Sequence, residues 1–244
     1  DLFVALKGER FDANAFLADA RDAGAVAAVA HGGLEAAGLP GIEVPDSLAA
    51  LGALATAWRA QFSLPLIGIT GSNGKTTVTQ MVASILRAWK GDAAFATQGN
   101  FNNDIGVPNT LFRLEDTTQY AVVEMGMSHL GEIARLVRAA RPSAGIITMI
   151  GVSHLENLGT RENILKAKME ICQGLPDGAP LVLNADDDLL PTAQIPGRLR
   201  PVWFGIRSSS ADVRAINIHT VGEGTGFTLV DNVDGETYEF SVTI

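Results

Sequence analysis

A chain of 244 residues that is 47% apolar, 18% charged and 6% aromatic can bury a sizeable core, which excludes a disordered tail. Its 18 Lys plus Arg against 27 Asp plus Glu leave a net charge of −9, which argues against nucleic acid as a partner, since duplex binding needs clustered positive charge. One cysteine, Cys172, cannot form an intrachain disulfide and points to a reducing, cytoplasmic setting. No apolar run reaches the roughly 18 residues of a membrane span, so no membrane insertion is expected.

Apolar runs at 2–6 and 25–30 flank a helical stretch over 13–24, the pattern of a β-α-β unit. A short strand at 42–44 leads through Pro45 and Asp46 into an alanine-rich helix over 47–60, with Asp46 or Ser47 as its cap. Residues 1–62 are thus expected to form a small N-terminal α/β domain. A new series opens at Ser63: a strand at 66–70, a glycine-rich turn and a helix over 75–89. Strand-like runs follow at 120–125, 144–150, 180–184 and 201–205, with helical patterns at 131–140 and 161–175 between them. These runs are apolar throughout, as strands covered on both faces of a parallel sheet are. After Gly205 the pattern alternates, at 213–219, 227–230 and 237–244, with Asp234-Gly235 as a hairpin turn, which predicts an antiparallel appendix. The chain lacks an initiator Met and stops at Ile244 inside a strand-like run, so a cut at each end is expected.

The segment Thr70-Gly71-Ser72-Asn73-Gly74-Lys75-Thr76-Thr77 follows an apolar strand and opens a helix, the context of a phosphate cradle. Glycines let backbone N–H groups approach phosphate oxygens, the helix N-terminus adds partial positive charge, Lys75 reaches the β and γ phosphates, and the Thr76 hydroxyl can ligate Mg²⁺. The strict P-loop pattern places glycine at position 69, where this chain has Ile69. The expected fold is therefore α/β: the small N-terminal domain, then a P-loop ATPase domain over 63–244 with a mostly parallel sheet and the antiparallel appendix.

Glu124 closes an otherwise apolar strand, where a buried carboxylate needs a partner or a metal. At a strand's carboxyl end it faces the same crevice as the phosphate loop. His154 lies four residues beyond Ile150 and projects from another carboxyl edge. On the next helix, at about 100° per residue from Ile164, Lys168 falls at about 40°, in the middle of the stripe made by Leu165, Ile171, Cys172 and Leu175. Lys166 falls on the opposite face with Glu162, Glu170 and Gln173. Desolvation lowers an amine's pKa, and a neutral amine attacks CO₂ to give a carbamate, which would present a carboxylate to a metal shared with His154. A lysine stem snorkelling to the surface is the plainer alternative.

These residues together resemble the Mur ligase family, ATP-dependent amide-forming enzymes of peptidoglycan precursor synthesis. The resemblance runs along almost the whole chain. T-G-S-N-G-K-T-T (70–77) is similar to the family's ATP loop, which also lacks the first glycine; V-V-E-M-G (122–126) is similar to its metal-binding Glu segment; and His154 with Lys168 resembles its histidine and carbamylated lysine. Three stretches, 1–12, 97–108 and 124–133, resemble the member that acts last. That resemblance implies UDP-N-acetylmuramoyl-tripeptide and D-alanyl-D-alanine as substrates, an acyl-phosphate intermediate, and a substrate side lined by Asn100, Asn102, Asn103 and His129. It implies ATP, Mg²⁺ at Thr76, Glu124, His154 and Lys168, a CO₂-derived carbamate on Lys168, and a monomer. From the residues alone, the asparagine cluster is equally a capped turn. The family's C-terminal domain, its adenine-holding H-N-x-x-N-like segment and the start of its uridine site have no counterpart in this chain, so a fragment inactive alone is expected. Another Mur-type or folylpolyglutamate-type ligase, a P-loop switch or kinase, and a non-catalytic binding fragment remain the alternatives.

Overall fold

The computed structural model describes residues 1–8 and 10–242. Strands β1 (Leu2–Val4), β2 (Ala27–Ala30) and β3 (Gly41–Glu43) form a parallel sheet in the order β1-β2-β3. Their crossovers are a 3₁₀ turn at Ala13–Phe16 running into α1 (Leu17–Asp22), and the single turn α2 (Leu34–Ala37). Asp12 starts the first by accepting from the Asn14 N–H at 3.0 Å. The core here is of small side chains, Ala5, Ala13, Ala28 and Ala30 with Leu17, Leu34 and Leu39, so the layers lie close together. At Gly41 a Cβ would sit 1.9 Å from the Ala28 carbonyl oxygen, so only glycine permits the pairing of β3 with β2 there.

After α3 (Ser47–Arg59) the chain builds a nine-stranded sheet. Its elements are β4 (Leu66–Thr70), α4 (Lys75–Lys90), β5 (Ala94–Ala96), α5 (Gly106–Leu111), β6 (Tyr120–Glu124), α6 (Glu132–Ala140) and β7 (Ala144–Ile147). They continue with α7 (Leu155–Leu158), α8 (Arg161–Met169), β8 (Pro180–Asn184), β9 (Arg200–Gly205), β10 (Val213–Val221), β11 (Gly224–Asp231) and β12 (Thr237–Val242). The strand order is β12-β11-β10-β9-β8-β7-β4-β6-β5, parallel from β5 to β10 and antiparallel at β10-β11 and β11-β12. This is the α/β fold expected from the unbroken apolar runs. Ala121 and Val123 of β6 join the core on one face of the sheet, while Val122 between them joins the core under α4 on the other. A strand covered on both sides has no solvent face to pattern.

β4 lies between β6 and β7, so the connection from β4 runs to one side and the connection from β6 crosses to the other. The carboxyl ends of these three strands open onto one crevice, the place where open α/β sheets bind ligands.

Several local expectations are corrected. β7 ends at Ile147 instead of residue 150, because the next residues leave the sheet to meet the glycine turn. The helix expected over 161–175 is α-helical to Met169 and tightens to 3₁₀ over Glu170–Gly174. Gly174 there lies against Val137 of α6, where a Cβ would come within 2.6 Å. Glu170, assigned to the solvent face, instead accepts from the N–H groups of Gly131 (2.7 Å) and Ala134 (3.1 Å), capping α6 from another element. The short elements α2, β5, α5 and α7 carry too few residues to show a period. The end of the last expected strand, at 243–244, lies outside the described residues.

α3 is shared between the two sheets. Asp46 caps it through the Leu48 and Ala49 N–H groups, and its sides pack on α5 and α6 as well as on β2. Arg59, 5% exposed, donates to the carbonyls of Ala140 (2.8 Å), Phe62 (2.5 Å), Leu64 (3.0 Å) and Arg141 (3.5 Å). It thus ties the linker to the negative end of the α6 dipole, with no carboxylate partner among the described residues. Arg59→Ala should destabilise the fold by about 3 kcal/mol, because the buried carbonyls lose their donor. Chemical denaturation measures this; a change within about 0.5 kcal/mol, the scatter of surface substitutions, would refute it.

Candidate active site

The glycine turn between β4 and α4 is built against the segment that leaves β7. The Ser72 N–H donates to the Met149 carbonyl (2.9 Å), and the Thr148 hydroxyl donates to Asn73 O (2.6 Å) and Thr70 O (3.4 Å). Gly71 has φ 148°, and a Cβ on it would lie 1.8 Å from the Thr148 hydroxyl. Gly74, at φ 79°, is the N-cap of α4 and has no side chain to bond the first-turn amides. Those amides therefore face outward beside the exposed Thr76 and Thr77, as an anion site requires. Among the described residues, the hydroxyls of Thr70 and Ser72 are buried without hydrogen-bond partners.

Three buried or half-buried titratable groups converge on this turn. Lys75 donates through Nζ to Gly71 O (3.0 Å) and Ser72 O (3.4 Å), and burial lowers its pKa against the opposing pull of Glu124. Glu124 is 1% exposed; its N–H donates to the Thr97 hydroxyl (3.0 Å) and its Oε1 accepts from Asn102 Nδ2 (2.7 Å). Among the described residues its Oε2 is buried with no hydrogen-bond partner. Lys168 is 2% exposed, and burial, followed by the like charge of Lys75, brings its pKa down to about 7. Lys166 is exposed. About half a helical turn thus separates a solvated lysine from a buried one.

The other candidate residues are placed less uniformly. His154 sits just before α7 with a left-handed backbone (φ 63°), in the segment whose Ser153 hydroxyl donates to Ser72 O at 3.4 Å. Of the asparagines, Asn102 alone reaches the carboxylate. Asn103 is turned to α5, where its Oδ1 accepts from the N–H groups of Ile105 (3.2 Å) and Gly106 (2.8 Å), so its oxygen serves as a helix cap. Asn100 is exposed. His129 is exposed on the loop after β6, with Nδ1 3.2 Å from Glu132 Oε1. Sequence reasoning passed over Thr97, although it opens the 97–108 stretch, and Thr148, a hydroxyl with no motif to mark it.

The donors present suit a nucleotide with a hard cation: hydroxyl and carboxylate oxygens, one carboxylate oxygen left over, and uncapped amides. Among the described residues no three His, Cys, Asp or Glu side chains group together to hold a metal unaided. A cation here would share its coordination with phosphate oxygens, as Mg²⁺ commonly does.

Residues 69–244 match the family model of the Mur ligase middle domain. The chain is 44% identical over 230 residues to the UDP-N-acetylmuramoyl-tripeptide--D-alanyl-D-alanine ligase of Escherichia coli (strain K12), covering 93% of this chain and 50% of that protein. Crystal structure I of MurF from Acinetobacter baumannii superposes with TM-score 0.91 at 33% identity, covering 100% of this chain and 52% of that one. MurF ligase from Thermotoga maritima in complex with ADP superposes with TM-score 0.87 at 29% identity, over 100% of this chain and 55% of that one. The chain spans about half the length of the curated relatives it matches. Among the described residues, no helix is long and apolar enough to cross a membrane. With the glycine turn, the buried carboxylate and the family match falling on the same sheet, this chain belongs to the Mur ligase family.

Proposed function

We propose that this chain carries the phosphate chemistry of a cytoplasmic ligase that joins D-alanyl-D-alanine to UDP-N-acetylmuramoyl-tripeptide at the expense of ATP. The observation that carries the reading is the convergence of Lys75, Glu124 and Lys168 on the glycine turn, with one Glu124 oxygen buried and unpartnered.

In this reading the terminal carboxylate of the tripeptide attacks the γ-phosphorus of ATP, the bond to the β-phosphate oxygen breaks, and ADP leaves. The amine of D-alanyl-D-alanine then attacks the acyl phosphate, loses a proton and expels phosphate, leaving an amide. No protein nucleophile is consumed, so the residues act by position and charge. The loop from Thr70 to Thr77 cradles the phosphates. Lys75 sets a positive charge where negative charge gathers on the transferred group. Thr76 and Glu124 would hold one Mg²⁺, and His154 with a carbamylated Lys168 a second. Magnesium bound there supplies charge neutralisation on phosphate oxygens. Asn102 orients Glu124, and the exposed Asn100 and His129 face the acceptor peptide, with Asn103 spent on capping α5 beside them. The small N-terminal unit, residues 1–62, takes the UDP end.

Extended to the length of its relatives, the protein should release ADP over repeated turnovers only when UDP-N-acetylmuramoyl-tripeptide and D-alanyl-D-alanine are both present. A coupled ADP assay over a panel of amines tests this. Release with a single amino acid in place of the dipeptide would assign the chain to another ligase of this fold, and release with no amine to an ATPase or kinase.

A further inference from the structure

The peptide of Ile150 is gripped from both ends by side chains that no phosphate motif includes. Its N–H donates to Asp187 Oδ2 (2.8 Å), and its carbonyl accepts from Arg161 Nη2 (2.7 Å). Asp187 is itself fixed by the turn after β8, since its Oδ1 accepts from the N–H groups of Leu189 and Leu190, both at 2.9 Å. Arg161 is held by a two-pronged pair with Asp188, at 2.5 and 2.7 Å. Three residues before Asp187, at the end of β8, Asn184 donates through Nδ2 to Thr148 O at 3.1 Å.

The segment held in this way, Thr148 to Gly151, is the one on which the glycine turn is moulded. Met149 O receives the Ser72 N–H, the Thr148 hydroxyl meets Asn73 O, and a Cβ on Gly151 would lie 3.2 Å from Ser72 Cβ. The Thr148 N–H still extends the β4–β7 ladder to Thr70 O (3.0 Å), but Met149 to Gly151 lie outside regular structure. Its shape comes from the glycine turn on one side and the β8 turn on the other.

We infer that Asp187 and Arg161 are positioning residues for the phosphate loop, acting through the Ile150 peptide without touching the nucleotide. The inference rests on the nucleotide reading above and adds to it residues well downstream of the loop. A loop that must present several amides to phosphate oxygens loses affinity when its support loosens, because ligand binding then has to order it.

Asp186 provides an internal control. It lies in the same turn and also accepts from backbone N–H groups, those of Ile206 (2.7 Å), Arg207 (3.0 Å) and Ser208 (2.7 Å), but these belong to the segment after β9 and not to the one behind the glycine turn. The test is titration of this chain with Mg·ATP by calorimetry for wild type, Asp187→Ala, Asp187→Asn, Arg161→Lys and Asp186→Ala, together with amide hydrogen exchange. Asp187→Ala should weaken Mg·ATP on the order of tenfold, the low end for losing a group that orients a ligand, and speed exchange at Ile150 and Ser72. Asp187→Asn, which keeps an oxygen acceptor, should recover part of the affinity. Arg161→Lys, which loses the fork, should fall between wild type and Asp187→Ala. Asp186→Ala should leave the affinity within about twofold. Equal losses for Asp186→Ala and Asp187→Ala would show a general softening of the turn and overturn the inference, as would an unchanged Asp187→Ala. A wild-type chain that binds no Mg·ATP would sink the nucleotide reading, and this inference with it.

Discussion

Lys75→Met, in the chain extended to the length of its relatives, should lower ATP turnover by a hundred- to a thousandfold, on the order of what removing one preorganised charge-stabilising group costs. The expected size follows from where the ammonium is held. Its stem is half-buried, its Nζ is fixed by Gly71 O and Ser72 O, and burial lowers its pKa while Glu124 pulls the other way. A charge in such a place is already desolvated and aimed, so its interaction with a transferring phosphoryl group is not diluted by water. Methionine keeps the stem's packing, so the melting temperature should stay close to that of the wild type. Steady-state ADP release with a thermal melt on the same preparation checks both parts. Retained ADP production would remove Lys75 from the role assigned to it.

Lys168 is expected to make both stability and chemistry depend on pH. Its pKa is about 7 in the fold, against an ordinary value of 10.5, because burial disfavours the charged form and Lys75 adds a like charge. Between those two values the unfolded chain binds the extra proton and the folded chain does not, so stability rises with pH across that window. Below about 7 the folded protein carries the whole cost of a buried ammonium, and above 10.5 none of it. In CO₂-free buffer Lys168→Met should therefore be more stable than the wild type at pH 6, with the difference shrinking towards pH 10. Denaturant midpoints measured across that range test the sign; a difference that grows with pH would contradict it.

The same depressed pKa makes the amine available at neutral pH. A neutral Nζ attacks the carbon of CO₂, releases a proton and becomes a carbamate, so modification should rise with bicarbonate and with pH through about 7. Carbon NMR with isotope-labelled bicarbonate reads it directly. Lys168→Ala should lose turnover while keeping its fold; an active Lys168→Ala with no bicarbonate dependence in the wild type would leave the lysine a buried stem and no more.

How much of this the sequence shows depends on the distance over which each signal acts. The strand runs at β4 and β8 read directly, because burial on both faces leaves an unbroken apolar segment. The burial of Lys168 beside a solvated Lys166 read equally well, since a helix's period is local arithmetic. The glycine turn was marked by composition, since few residues other than glycine accept its backbone angles.

Neighbourhoods across the sheet were not legible. Nothing along the chain distinguishes Asn102, which reaches Glu124, from Asn103, which caps α5, because the difference is the direction each residue faces after the turn closes. Glu170 looked like a solvent residue and became the cap of α6; Asp187 and Arg161, which no motif marks, hold the backbone behind the phosphate loop. By itself, then, the sequence determined the layered α/β order, the phosphate turn and the buried lysine, each set by interactions within a few residues. Only the tertiary structure decided which polar side chains meet at the crevice, since hydrogen bonds between distant segments form after β4, β6, β7 and β8 have been brought side by side and leave no period in the chain.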